Sequence, residues 1–212
     1  MKTAALIAAL AAEPPPPALR LGRRVALALV LGAAISAALF MTALGPRHDF
    51  AAAAHTMRFD LKFVDTLALL LPSALLAARL LRPEARPGAL IAALVAPFVL
   101  LGGAAVVELV VTPADLWMTR LVGTNALHCL TLIPLMSIPP LTALIVAMRA
   151  GAPSHPALTG ALAGAAAAGA AATIYATNCT DDSPLFVASW YPLATLIVVA
   201  AGALAGRKWL QW

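Results

Sequence analysis

The chain reads as an all-α polytopic membrane protein, a bundle of six transmembrane helices with both termini on the cytoplasmic side. Three observations carry that reading. Of 212 residues, 62% are hydrophobic and 11% charged, a balance outside the range of soluble globular domains. Six apolar stretches (25–44, 63–81, 88–111, 128–148, 158–177 and 183–204) each come close to or exceed the roughly 20 residues that cross a hydrocarbon core. The cations are distributed unevenly. With the N-terminus inside, ten of the fourteen Lys and Arg fall on inner segments, whereas Arg47, Arg58, Lys62 and Arg120 fall outside together with seven of the nine acids. The stretches are continuously apolar and rich in Ala and Leu, so they read as helices and not as barrel strands. A net charge of +5 on several short loops, without aromatic interleaving, is topological and does not mark a nucleic-acid surface.

Little of the chain is left for a soluble domain. Residues 1–24 form an arm, 25–206 the membrane domain and 207–212 a short tail. In the arm, MKTAALIAALAAE predicts a short helix capped by Thr3, with Leu6, Ile7 and Leu10 as an apolar stripe on an alanine-rich body. About ten residues are too few for a stable isolated helix in water, so it needs a surface to lie on. Pro14 to Pro17 end the helix and favour an extended spacer. The first span follows Arg20, Arg23 and Arg24 and is too long for a signal-peptide core of roughly 7–15 residues, so it reads as a retained helix.

The outer loop 45–62 carries two of the four histidines and both charge signs. Lys62 and Asp65, three apart at the start of the second span, have the spacing to pair. Glu108 lies about a turn inside the outer end of the third span, where a carboxylate needs a partner; Arg120 and Lys62 are the candidates. The fourth span contains Pro134, Pro139 and Pro140 and predicts a kink or break near mid-membrane, a candidate hinge. In the fifth, Gly160, Gly164 and Gly169 give a small-residue face for close packing inside the bundle. Trp190, Tyr191, Trp209 and Trp212 include interface anchors.

Cys129 and Cys179 are the only cysteines. The derived orientation puts both on the outer, oxidising side, which permits a disulfide if their α-carbons lie within about 7 Å. Metal binding competes with that idea. His128, Cys129, Cys179, Asp181 and Asp182 offer imidazole, thiolate and carboxylate donors, although no CxxC or HExxH spacing organises them. Asp181 and Asp182, before Ser183 and Pro184, also suit capping of the sixth span's N-terminus.

The stretch YATNCTDDSPLFVASWYPLA resembles the NrsF family of bacterial inner-membrane anti-sigma factors, most specifically at Cys179 to Val187. MKTAALIAALAAE, RAGAPSHPALTGALAG and GRKWLQW are similar to other parts of that family. The resemblance implies six spans and sequestration of an extracytoplasmic-function sigma factor at the membrane. It also implies that Cys129 and Cys179 govern release under oxidative or heavy-metal stress. Sigma contact is expected on Leu6, Ile7 and Leu10, supported by the inner loop at Arg82 and Arg86. No cofactor is expected beyond transient metal binding at the cysteines, and no catalysis, because no local CxxC or Ser/His/Asp constellation exists. The rival reading is a small-solute or metal-ion transporter, motivated by Glu108, the proline-rich fourth span and the outer ligand set.

Overall fold

The computed structural model describes residues 3–12, 18–86 and 88–211. The spacer Pro14 to Pro17 and Trp212 lie outside the described residues, as do the side chains of Leu6 and Leu10. No strand occurs among the described residues, and six helical segments are long and apolar enough to span a membrane. In order, the helices are α1 (Thr3–Ala12), α2 (Ala18–Ala43), α3 (Phe50–Ala53), α4 (Met57–Arg79), α5 (Leu90–Ala93), α6 (Ala96–Val111), α7 (Trp117–Val122), α8 (Ala126–Met148), α9 (Pro156–Ala176) and α10 (Pro184–Trp209). The predicted arm helix is present as α1, and Ile7 on it is exposed.

The centre of the bundle is α9, which packs against α10, α4 and α8. Its sequence explains the position. From Leu162 to Ala172 every side chain is buried, and all but Leu162 are alanine or glycine. Helix axes can therefore approach closely from several sides, which is how helices associate where lipid removes most of the hydrophobic drive. The contact with α10 is the tightest. A Cβ on Gly160 would lie within 3 Å of the Gly202 and Gly206 backbone, and one on Gly164 within 3 Å of the Val198 carbonyl oxygen. Gly169 meets the Leu70 backbone of α4 in the same way. The small-residue face is thus consumed within the bundle, as expected. Large apolar side chains such as Val30, Leu31, Leu135 and Leu204 point outward, the arrangement a lipid solvent requires.

The expected break in the fourth span does not occur, for α8 runs unbroken through Pro134, Pro139 and Pro140. Helix α2, packed along α8, supplies the reason at one of these prolines. Pro140 has no N–H to donate to the Met136 carbonyl, and the Ser36 hydroxyl of α2 donates to that carbonyl instead, at 2.7 Å. Gly32, one turn earlier, brings the α2 backbone against Pro140: a Cβ there would meet the Pro140 Cα. A freed carbonyl in a membrane helix is tolerated when a neighbouring hydroxyl serves it. The interruption falls in the third span instead. Helix α5 ends at Ala93, the residue four before Pro97, whose ring and missing N–H deny that carbonyl its partner; the chain turns through Leu94 and Val95 before α6 begins.

Of the aromatic anchors, Trp209 is half exposed beneath Lys208, whose ammonium lies 5.4 Å from the ring centroid. Tyr191, grouped with them on sequence, is buried in the bundle. The α2–α8 seam yields a direct test. Ser36→Ala should lower stability by about 1–3 kcal/mol, the cost of a buried carbonyl left unserved, and Gly32→Val should lower it further; thermal unfolding in detergent measures both.

Candidate functional site

The chain leaves α9 at Thr177, crosses one end of the bundle and enters α10 at Pro184. The turn stays close to α9 because the backbone N–H groups of Asn178 and Cys179 both donate to the Tyr175 carbonyl, at 2.9 and 3.1 Å. Cys179 therefore sits against the end of α9. Cys129 is one turn into α8, its N–H bonded to the Asn125 carbonyl. Both cysteines are fully buried and both are free thiols. Fifty positions apart in sequence, they come together in one apolar chamber with Ile133, Phe186, Val187, Tyr175 and Tyr191. The Cys129 thiol is within hydrogen-bonding reach of the Cys179 sulfur. The Tyr175 and Tyr191 hydroxyls face the pair without closing a well-formed bond of their own.

Three carboxylates fix the turn, each in a different way. Asp181 does not cap its own helix. Its Oδ2 accepts from the Asn125 N–H at 2.7 Å, the Thr124 N–H at 2.9 Å and the Asn125 side-chain amide at 2.9 Å, so it caps the start of α8, the helix bearing Cys129. Asp182 pairs with Arg47 at 2.8 Å and with Lys62 at 2.5 Å. The cap of α10 comes from Glu108 on α6, which accepts from the Ser183 hydroxyl at 2.7 Å and the Leu185 N–H at 3.1 Å. Glu108 also pairs with Arg120 at 2.7 Å and Arg58 at 3.3 Å. The capping expected of Asp181 and Asp182 is thus corrected: the donors at the α10 terminus are real, but a carboxylate from another helix reaches them first.

Lys62 departs from expectation as well. It is fully buried, pairs with Asp182 rather than Asp65, and donates to the Cys179 carbonyl at 2.9 Å. Arg47 joins it, donating to the same carbonyl at 3.3 Å while its other nitrogens hold Asp49 at 2.6 and 2.8 Å. The hydrogen bonds with Asp49, and then Asp182, hold the Arg47 guanidinium above its ordinary range; the same bond from Arg47 holds the Asp49 carboxyl below its own. Arg47 N–H also donates to the Thr177 carbonyl, and the Asn178 amide donates to the Gly45 carbonyl, so the loop after α2 is laced to the α9–α10 turn.

This environment acts on Cys179. The hydrogen bond from the Cys129 thiol, helped by the positive charge of Lys62, favours its thiolate and pulls the Cys179 thiol below its ordinary value against the opposing effect of burial. A thiolate is the reactive form toward disulfides and soft metals. The arrangement is that of an attacking sulfur with a second sulfur beside it.

The remaining predicted donors do not converge. His128 is exposed, next to Cys129 in sequence but on another side of α8, and the Asp181 and Asp182 side chains are taken by α8 and by Arg47 and Lys62. No group of three or more His, Cys, Asp or Glu residues placed to hold a metal occurs among the described residues. Two supports of the transporter reading also weaken, since Glu108 is a fully engaged helix cap and α8 is not broken. Residues that sequence reasoning missed are Arg47, Tyr175 and Gly123. Gly123 has φ +59°, and a Cβ there would strike the Phe186 ring and the Asp181 carboxylate, so only glycine fits beneath the turn. A positive-φ glycine three residues before a helix was the available signal.

A family model described as negative regulator of sigma F, NrsF, matches residues 10–212. Two curated proteins are each 33% identical to the chain, with alignments covering all of both partners: the probable anti-sigma-F factor NrsF of Azospira oryzae and the anti-sigma-F factor NrsF of Caulobacter vibrioides. No solved structure matches.

Removing one partner of the buried pair should reveal what holds the turn. Asp182→Asn leaves Lys62 buried without its counter-charge and should cost about 3–5 kcal/mol. The double variant Lys62→Met, Asp182→Leu should recover most of that loss in a thermal melt.

Proposed function

The chain belongs to the NrsF family, and we propose that it is an anti-sigma factor of the bacterial inner membrane that holds an extracytoplasmic-function sigma factor and releases it on a signal received at Cys129 and Cys179. The observation that carries the reading is the meeting of these two thiols under an ion-paired turn, in a chain matched along its whole length by proteins named as anti-sigma factors. The cation asymmetry supports placing the thiols on the periplasmic side and the termini in the cytoplasm.

The chemistry follows from the pair. Once the α9–α10 turn opens to admit it, an external disulfide is attacked by the Cys179 thiolate, which forms a mixed disulfide and expels the outer thiolate; Cys129, losing its proton, then displaces the second external sulfur and closes the internal bond. Two electrons pass to the external disulfide, which leaves as a dithiol. Capture of a thiophilic metal ion by the two sulfurs is the parallel route, with release of their protons. Either event alters the contact between α8 and the α9–α10 turn, which Asp181 makes a single unit by capping the one from the other. A signal of this kind requires the oxidised or metal-bound pair to favour one bundle arrangement over the other.

At the opposite end of the bundle, the loop after α4 is stitched to the loop after α8. Ala152 N–H donates to the Leu81 carbonyl at 2.9 Å, and Ser154 donates to the Pro83 carbonyl at 2.8 Å. Arg82 and Arg86 lie exposed on this platform. The sigma factor would rest there and against the apolar stripe of α1, where Ile7 is exposed.

Two measurements test the proposal. Replacing Leu6, Ile7 and Leu10 with Glu should abolish co-purification of the sigma factor from membranes while insertion is retained; unchanged recovery of sigma removes the arm from the interface. Cys129→Ser with Cys179→Ser should leave sigma bound yet eliminate its release by a disulfide oxidant or cadmium, read from a sigma-dependent reporter. Undiminished induction in that variant would refute thiol sensing.

A further inference from the structure

A cavity of about 300 Å³ lies within the membrane domain, away from the sigma platform, walled by α4, α6, α9 and α10. Its walls are almost wholly apolar, with Phe98, Leu162 and Ala165 among them, yet Asp65, Ser73 and Tyr191 also line it. These three side chains are exposed by only 7%, 0% and 3%, and each carries a polar oxygen with no hydrogen-bond partner: Asp65 Oδ1, Ser73 Oγ and the Tyr191 hydroxyl. Buried polar groups are normally satisfied, because each one left alone costs free energy. Three on one cavity are unexplained by packing.

The nearest cation on the same helix does not answer Asp65, because Lys62 is committed to Asp182 and the Cys179 carbonyl. A carboxylate within the bilayer needs a counter-charge or hydration. By helical rise, Asp65 sits about 12 Å inward from Met57 and Tyr191 about 10 Å inward from Pro184, so the two share a depth below the headgroup level. Ser73 lies about 12 Å deeper along α4, and Leu158, near the inner end of α9, also lines the cavity. The space is therefore elongated along the membrane normal, acidic near its outer end and apolar for the rest of its length.

We infer that this cavity binds a single-chain cationic amphiphile, a protonated long-chain amine, with its ammonium at Asp65 and its hydrocarbon tail running inward past Ser73. The ammonium supplies the missing counter-charge, and its N–H donors meet the carboxylate. An anionic amphiphile would meet Asp65 as a like charge, and a neutral one would leave the carboxylate unanswered. The site is independent of the sigma reading, although Tyr191 also faces the thiol pair, so one side chain borders both chambers.

The full chain in phosphatidylcholine nanodiscs, titrated with dodecylamine and corrected for uptake by empty discs, tests this. Saturable binding at one site per chain is expected, weakened at least tenfold in Asp65→Asn and abolished in Ala165→Phe, which fills the cavity while leaving the carboxylate. Dodecanol, which has the same chain without the charge, should not compete on the unaltered protein. Competition by dodecanol at equal strength, or full affinity in a folded Asp65→Asn, would show a crevice for hydrocarbon only and overturn the inference.

Discussion

Helices α9 and α10 meet backbone to backbone. Gly160 and Gly164 on α9 face Gly202 and Gly206 on α10, and no side chain separates the two helices there. In water such a seam would contribute little apolar burial, but in lipid, where apolar side chains gain almost nothing by leaving one another's company, dispersion between closely packed backbones is the main attraction left. The α9–α10 hairpin is consequently the rigid spine of the bundle. Everything at that end of the bundle is arranged around the turn that joins its two arms.

That turn carries a concentration of charge unusual for so apolar a chain, and each ion has a stated partner. Lys62 and Glu108 are both fully buried, which is tolerable only because each is paired and also bonded to backbone or hydroxyl groups of the turn. The three carboxylates tie the turn to α8, to the loop after α2 and to α6. The thiols sit directly beneath. A change in the sulfur pair therefore acts on a node where four elements are joined, and not on one mobile loop.

The proline pattern shows how local signals depend on neighbours. Three prolines in α8 predicted a kink or a break; the helix is not broken, with Ser36 serving the carbonyl orphaned by Pro140. A single proline in the third span, Pro97, coincides with a real interruption. That span is the least buried of the six, so fewer neighbours stand close enough to restore what the proline removes. Proline content pointed to the fourth span alone, and the third, where the interruption falls, was not expected to yield.

Composition and spacing by themselves determined the number of spans, their helical nature, the arm helix and the role of the small-residue face, because each depends on the bilayer's demand for long apolar helices or on neighbours along one helix; they left Glu108 with two candidate partners, and the fold chose Arg120 over Lys62. The resemblance at Cys179 to Val187 pointed to the family. Only the tertiary structure decided that Asp181 caps the helix of the other cysteine, that Glu108 caps α10, that Lys62 turns to Asp182, and that Asp65 is left facing a cavity. Those outcomes depend on which helix ends lie side by side, and the bonded pairs among them are 56 to 120 positions apart. A carboxylate goes to the nearest unsatisfied donors, and sequence proximity is a poor guide to which those are.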